Sequence, residues 1–343
     1  MTQKRSSLPG GPTLRILLSR QCAQRLGPRI GSVLGDRPHE LVIHEATEGS
    51  ADADIAFVSR DVTGLSTKHE VHPSTQAFFD AMLGAPSLQW VHTHSAGADR
   101  PVYVALRSRR VVVTTSSGAN ASVVAQTALA GILALARHFP LLAGAQSECR
   151  WAPLIQSGMP RDLAGQTATI VGWGPIGQTI GAYLSMLGLR VIAVRRSATP
   201  SPPAAEAVVF DALHGVLPRT DWLVLACPLT PTTQNLIDRQ ALSLLPRTGH
   251  LVNVSRGEVV DEAALCEALQ EKRLAGAFLD VFAHEPLSPA SPLWALPNTI
   301  VTPHSAGFSD GNRERVESLF LDNLGRWITR APLANVASSD PPA

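Results

Sequence analysis

The chain has 343 residues, and at about 150 residues per domain that length predicts two domains. Hydrophobic residues make up 45% and charged residues 17%, and 29 basic against 28 acidic side chains leave +1, no global charge for nucleic acid or an anionic membrane. The apolar content excludes global disorder, and four scattered cysteines with no C-x-x-C pair exclude a disulfide framework or zinc ribbon and fit a reducing cytoplasm.

Short β-branched runs alternate with helical patterns along nearly the whole chain, which predicts parallel α/β architecture. At the N-terminus Lys4 and Arg5 precede Leu14–Leu18, but Arg15 interrupts that run, so no signal segment is expected. Strands are predicted at Leu14–Leu18, Ile55–Val58, Gln89–His92 and Val111–Thr114, with helices near residues 21–30 and 74–83. The charge-free stretch Val111 to Ala136 is broken by T-T-S-S-G-A-N, which leaves too few helical residues for the roughly 20 of a membrane span. It reads instead as a strand, a turn and a buried helix capped by Asn120 and ending near Arg137. Residues 140–165 read as loop.

From Gln166 the alternation is regular. Strands are predicted at Thr167–Val171, Arg190–Val194, Trp222–Ala226, His250–Val254, Ala277–Val281 and Thr299–Thr302. Helices fit near 175–187, 238–245 and 261–272, the last two capped by Asp238 and Asp261, and Ala198–Ala207 reads as a Pro/Ala-rich loop. A final amphipathic helix over 311–330 carries Val316, Leu319, Phe320, Leu324 and Trp327 on one face, and the tail after Arg330 is expected to fray.

The strand Thr167–Val171 runs into Gly172-Trp173-Gly174-Pro175-Ile176-Gly177 and then a helix. In that context the glycines serve a tight turn, the approach of backbone to a pyrophosphate, and close helix–strand packing, while the helix N-terminus offers N–H groups to the anion. An acidic residue normally ends the next strand to bind a ribose 2′-hydroxyl. Here Val194 is followed by Arg195, Arg196 and Ser197, which suit a 2′-phosphate, so NADP(H) is expected over NAD(H), with NAD(H) as the lesser option.

Three later segments place a functional side chain just past a strand: Arg256 in 251–261, Glu285 in 278–287 and His304 in 300–307. Ligands of open parallel sheets sit at the carboxyl ends of strands, so the three are expected to converge on one crevice. Arginine forks onto a carboxylate, histidine exchanges a proton near neutral pH, and glutamate orients that histidine.

Along almost its whole length the chain resembles the D-isomer-specific 2-hydroxyacid dehydrogenase family, and within it the glyoxylate/hydroxypyruvate reductases. The matching motifs are S-A-G-A-D at 95–99, D-L-A-G-Q-T at 162–167, V-G-W-G-P-I-G at 171–177 and C-P-L-T-P-T-T at 227–233. They continue with V-N-V-S-R-G at 252–257, L-D-V-F-A-H-E-P-L at 279–287 and T-P-H-S-A-G at 302–307. The resemblance implies a Rossmann-type cofactor domain, residues 118–307, inserted in a discontinuous flavodoxin-like substrate domain, residues 1–117 plus 308–343. It implies that Arg256 grips a 2-oxo acid's carboxylate and carbonyl, that His304 is the acid/base with Glu285 as partner, and that backbone N–H groups of Ser95, Ala96 and Gly97 hold the carboxylate. The cofactor would run along Gly172–Gly177, Cys227, Pro228, Val254, Ser255, Ala306 and Gly307, with Asn253 and Asp280 flanking the nicotinamide beside His304. A homodimer through the helix after Asn120, a small 2-oxo or 2-hydroxy acid as the only partner, and neither nucleic acid nor membrane are expected.

The chain departs from the family pattern in Val124-Ala125-Gln126-Thr127, where V-A-E-H is common, and in Thr169, where a glycine is usual. Trp151, Trp294 and Arg100 are candidates for the pocket wall. The G-x-S-x-G match at Gly307–Gly311 has no histidine after it in the chain and is read as chance. His92 and His94 share one face of a strand end but have no further spaced ligands, so no metal is expected. The rival to an enzyme is a dinucleotide-sensing binding protein or co-repressor without turnover, against which the intact trio argues.

Overall fold

Among the described residues there are twelve strands, all paired in parallel, most of them runs of apolar β-branched residues with turn signals at both ends. The computed structural model describes residues 12–43, 52–156, 158–199 and 201–337. The strands are β1 Leu14–Leu18, β2 His39–Ile43, β3 Ile55–Val58, β4 Trp90–Thr93, β5 Val112–Thr115, β6 Thr167–Val171, β7 Arg190–Val194, β8 Glu206–Val208, β9 Trp222–Leu225, β10 His250–Asn253, β11 Gly276–Leu279 and β12 Thr299–Val301. They fall into two sheets belonging to two compact units: one gathers the described residues through Ala119 with those from Asp310, the other is Asn120–Ser309.

The first unit has the order β2-β1-β3-β4-β5, the flavodoxin-like arrangement. Its central strands are buried on both faces, as parallel sheets covered by helices require. The last helix, Asn312–Ile328, returns to this sheet: Phe320 stacks on Phe57 with ring centroids 4.5 Å apart, and Trp90 stacks on Phe320 and Trp327. Glu317 of that helix is 3% exposed and accepts from Arg25 at 2.7 Å, a pairing that offsets part of the cost of burying it.

The second unit has the order β12-β11-β10-β9-β6-β7-β8, a doubly wound Rossmann sheet whose order reverses beside β6. Two apolar cores cover its faces, one around Val171, Leu223 and Leu251, the other around Ile170, Val224 and Phe278. The helix Ala121–Ala136 lies on β11 at Gly131, where a Cβ would stand 2.4 Å from the Phe278 ring.

Several expectations need correction. β2 and β8 were not predicted: both are short edge strands, β2 only partly buried, so neither has the full apolar signal of a central strand. Helices Pro101–Ser108 and Phe139–Ser147 were not foreseen, the second inside the stretch read as loop. Asn120 stands at the N-cap position but its side chain makes no cap bond; it packs against Gly307 instead. Asp238 and Asp261 do cap, accepting from the Ala241 and Ala264 N–H groups at 2.8 and 3.0 Å. The tail does not fray directly after Arg330, because Asn335 accepts from Thr115 and Ala337 donates to Val113 at 2.8 Å. The expected tail beyond Ala337 lies outside the described residues. No single helix among the described residues is long and apolar enough to cross a membrane.

Candidate active site

Each site residue of the second unit follows the carboxyl end of a strand in one sheet, so six loops open along the same sheet edge. The glycine loop is set by sterics. Gly172 has φ +97°, and a Cβ there would stand 2.6 Å from the Cys227 backbone, so β6 and β9 touch through their loops at the point where the strand order reverses. A Cβ on Gly177 would lie 2.0 Å from the Gly172 carbonyl oxygen, so only glycine lets the helix Pro175–Met186 sit this close to β6. At Gly174 the same Cβ meets nothing within 4 Å. That open approach to a helix N-terminus fits a dinucleotide pyrophosphate. Pro175 opens the helix, Ile176 packs on the core, and the Trp173 side chain is buried against Gly181, so any contact of Trp173 with a cofactor falls to its backbone.

Past β7, Arg195 is partly exposed and Arg196 exposed, and among the described residues neither guanidinium has a hydrogen-bond or ion-pair partner. Ser197 donates to Thr199 at 3.0 Å. Past β9, burial pushes the Cys227 thiol up to about 12, an unreactive group beside exposed Pro228.

The loop past β10 turns on Asn253. Its side-chain oxygen accepts from the Ser255 N–H at 3.0 Å and hydroxyl at 2.7 Å, and its amide donates to the Arg256 carbonyl at 3.0 Å. Val254 and Ser255 are thereby buried and Arg256 is left half-buried. Gly257 then packs flat on the next loop, since a Cβ would stand 1.8 Å from the Phe282 carbonyl carbon. This contact holds the Arg256 loop against the Glu285 loop.

His304 Nδ1 and Glu285 Oε2 lie 2.7 Å apart, and Glu285 Oε1 accepts the Phe282 N–H at 3.1 Å. Burial alone would raise the Glu285 carboxyl, but the His304 hydrogen bond and charge, the Phe282 N–H and the Arg256 charge together hold it below the usual carboxylate range. The His304 ring is half exposed, and nothing among the described residues is bonded to Nε2. His304 has φ +48°, a conformation that a non-glycine residue adopts only when its surroundings impose it. The constraint comes from Asp280, 2% exposed, whose backbone carbonyl accepts from the His304 N–H at 2.8 Å. Its carboxylate accepts from the Thr302 hydroxyl at 2.6 Å, from Ser305 N–H at 2.8 Å and from Ala306 N–H at 3.0 Å. Thr127, at the position where the chain departs from the family pattern, donates to the Ala306 carbonyl at 3.1 Å, and Gly307 leaves room for Asn120. The sequence reading missed Gly257 and Thr127 as parts of this site; the R-G pair and the V-A-Q-T departure were the available signals.

In the first unit, Ser95, Ala96 and Gly97 follow the carboxyl end of β4, and no described acceptor takes the N–H of Ala96 or Gly97. His92 is bonded to the Thr114 and Ser116 hydroxyls at 2.8 and 3.1 Å, and His94 to Thr63 at 2.9 Å. Burial presses both imidazoles down to about 3, so they serve as neutral packed rings. Trp151 is 94% exposed, and Trp294 donates to the Ser288 carbonyl.

The sequence profile for the D-isomer specific 2-hydroxyacid dehydrogenase NAD binding domain matches residues 129–306. The chain is 33% identical to the glyoxylate reductase of Korarchaeum cryptofilum over 70% of its length and 73% of that protein's. It is 34% identical to the 2-ketogluconate reductase of Gluconobacter oxydans over 73% of its length and 79% of the relative's. A D-isomer specific 2-hydroxyacid dehydrogenase from Xanthobacter autotrophicus Py2, solved in complex with NADPH and MES, superposes with a TM-score of 0.74 at 28% identity, over 95% of this chain and 98% of the other. The protein belongs to the D-isomer specific 2-hydroxyacid dehydrogenase family and carries that family's NAD-binding domain.

Proposed function

We propose that the protein is a reductase of 2-oxo acids to D-2-hydroxy acids, of the glyoxylate/hydroxypyruvate reductase kind, that prefers NADPH to NADH. The observation that carries this reading is the 2.7 Å His304–Glu285 bond within reach of the Arg256 charge, with Nε2 left open. A bound reduced nicotinamide supplies a hydride to the carbonyl carbon. Arg256 binds the substrate carboxylate and holds the charge that develops on the carbonyl oxygen. His304 donates its Nε2 proton to that oxygen, and ionised Glu285 stabilises the protonated ring beforehand. Ala96 and Gly97 offer N–H groups for the carboxylate.

Arg195 and Arg196 support the NADP(H) preference, because two guanidiniums without carboxylate partners among the described residues suit a 2′-phosphate. Gly174 and its neighbours would hold the pyrophosphate. We assign the first unit to the substrate and Asn120–Ser309 to the cofactor. We also propose a homodimer in the cytoplasm: Phe139, Leu141, Trp151, Ile155 and Met159 are all exposed within one short segment, an apolar display that a second copy would cover. The test is absorbance of NADPH and NADH in turn with glyoxylate, hydroxypyruvate and pyruvate. Reduction of at least one acid, with kcat/KM at least ~10-fold higher for NADPH, is expected. Tight NADPH binding with no oxidation by any 2-oxo acid would instead establish a dinucleotide sensor.

A further inference from the structure

The peptide that joins Phe282 to Ala283, just ahead of Glu285, is gripped twice by one stretch of chain. Gly257 lies flat on it, since a Cβ there would stand 1.8 Å from the Phe282 carbonyl carbon and 2.2 Å from the Ala283 nitrogen. The Ala283 N–H donates to Oε2 of Glu262 at 2.9 Å. The preceding N–H, that of Phe282, donates to Oε1 of Glu285 itself at 3.1 Å. Two successive N–H groups thus end on the carboxylates of two different glutamates, one inside the loop and one outside it.

The outside anchor is firm. Glu262 opens the helix Glu262–Gln270, and Asp261 caps that helix through the Ala264 N–H at 3.0 Å. The Asp261 N–H donates to the Ile237 carbonyl and the Ile237 N–H to the Val259 carbonyl, both at 3.0 Å, and Val259 and Val260 are buried. The Glu285 loop has less packing of its own: Ala283 and Glu285 are only half-buried, and His284 and Pro286 are exposed. Its place is therefore taken from the pinned segment, by contact at Gly257 and by a charge-assisted hydrogen bond at Glu262. Glu285 passes that position on, because its Oε2 lies 2.7 Å from Nδ1 of the His304 ring.

We propose that Glu262 is a positioning residue of the active site: through the Ala283 N–H it sets where the Glu285 carboxylate stands, and through Glu285 the direction of the His304 ring. The inference rests on the reading of His304 as the acid and Glu285 as its partner. Glu262 acts as an acceptor, since what it meets on the loop is an N–H group.

The experiment measures kcat and KM of the full chain with NADPH and whichever of glyoxylate, hydroxypyruvate and pyruvate it reduces best. Glu262→Met removes the acceptor, and kcat should fall ~10-fold or more with KM within ~3-fold, because the loss is felt at the proton donor. Arg256 keeps its bracing by Asn253, so binding of the substrate carboxylate is spared. Glu262→Gln keeps an acceptor oxygen and should hold kcat within ~3-fold of the wild type. Thermal unfolding is followed in each variant. If Glu262→Met does not fold, Glu262→Asp, which keeps the charge but draws the acceptor back, takes its place with the same expected split. A kcat near that of the wild type without the acceptor overturns the proposal, as does a loss carried by KM. Equal losses in Glu262→Met and Glu262→Gln also overturn it, by assigning the effect to charge. If the wild type reduces no 2-oxo acid although NADPH binds, the reading of the acid pair itself fails and takes this inference with it.

Discussion

The loops after β6 and β12 stand on the same sheet and are built by opposite means. The glycine loop is shaped by missing side chains: Gly172 and Gly177 let backbone meet backbone, and the Gln178 amide adds one bond to the Trp173 carbonyl at 2.9 Å. The His304 loop is shaped by a buried carboxylate, with Asp280 collecting Thr302, Ser305 and Ala306 around a histidine in a left-handed backbone conformation. A loop held by sterics tolerates almost no substitution at its contact points. One held by hydrogen bonds can lose them in steps, which makes its contribution to the chemistry measurable.

The largest effect separates catalysis from binding. His304→Ala should lower kcat by at least ~100-fold in the 2-oxo acid assay while leaving the NADPH dissociation constant within a few-fold. A near-normal rate would remove His304 from the mechanism. Within the steric loop, Gly177→Ala and Gly174→Ala should part company. The first drives a Cβ into backbone and should abolish the soluble fold or cut Tm by ~10 °C or more, since strain of several kcal/mol is unavoidable. The second has open space around it, so Tm should stay within ~2 °C while NADPH binding weakens ~10-fold, as read by titration. Equal behaviour of the two would break the assignment of Gly174 to the pyrophosphate.

Asp280→Asn tests the polar loop. It keeps the volume but turns part of the acceptor set into a donor facing the Ser305 and Ala306 N–H groups. We expect kcat to fall ~10-fold or more with KM little changed, because the misplaced imidazole acts in the transition state more than in binding. The smallest effect is on stability against pH. The Glu285 carboxyl is held below its usual range in the folded protein, so its contribution is present above the unfolded carboxylate value of about 4.3 and is lost as pH falls through the folded value. The Tm gap between the wild type and Glu285→Gln should therefore close on acidification; a gap that widens toward acid would contradict that sign.

Legibility followed the range of the physical cause. Central strands buried on both faces were legible from their apolar runs, and Asp238 and Asp261 as caps from local spacing. β2 and β8 were not, because edge strands take their stability from one neighbour and carry mixed side chains. At Asn120 the local rule for helix starts lost to a packing partner at Gly307, a residue far along the chain. The Asp280 clamp was equally hidden: the motif announced an aspartate near the nicotinamide, but not that its carboxylate is occupied by backbone of the next loop.

What the sequence determined alone is the repeating α/β order, the glycine turn, and the identity of the residues that follow each strand, since these depend on periodicity and on groups a few residues apart. Tertiary structure decided how those residues are held: the backbone of His304, the seating of Gly257 on Phe282, and the hold of the Asp280 carboxylate on Ser305 and Ala306. Each joins segments that become neighbours only when parallel strands pair and bring their carboxyl ends to one edge, and the chain's linear order does not encode that pairing.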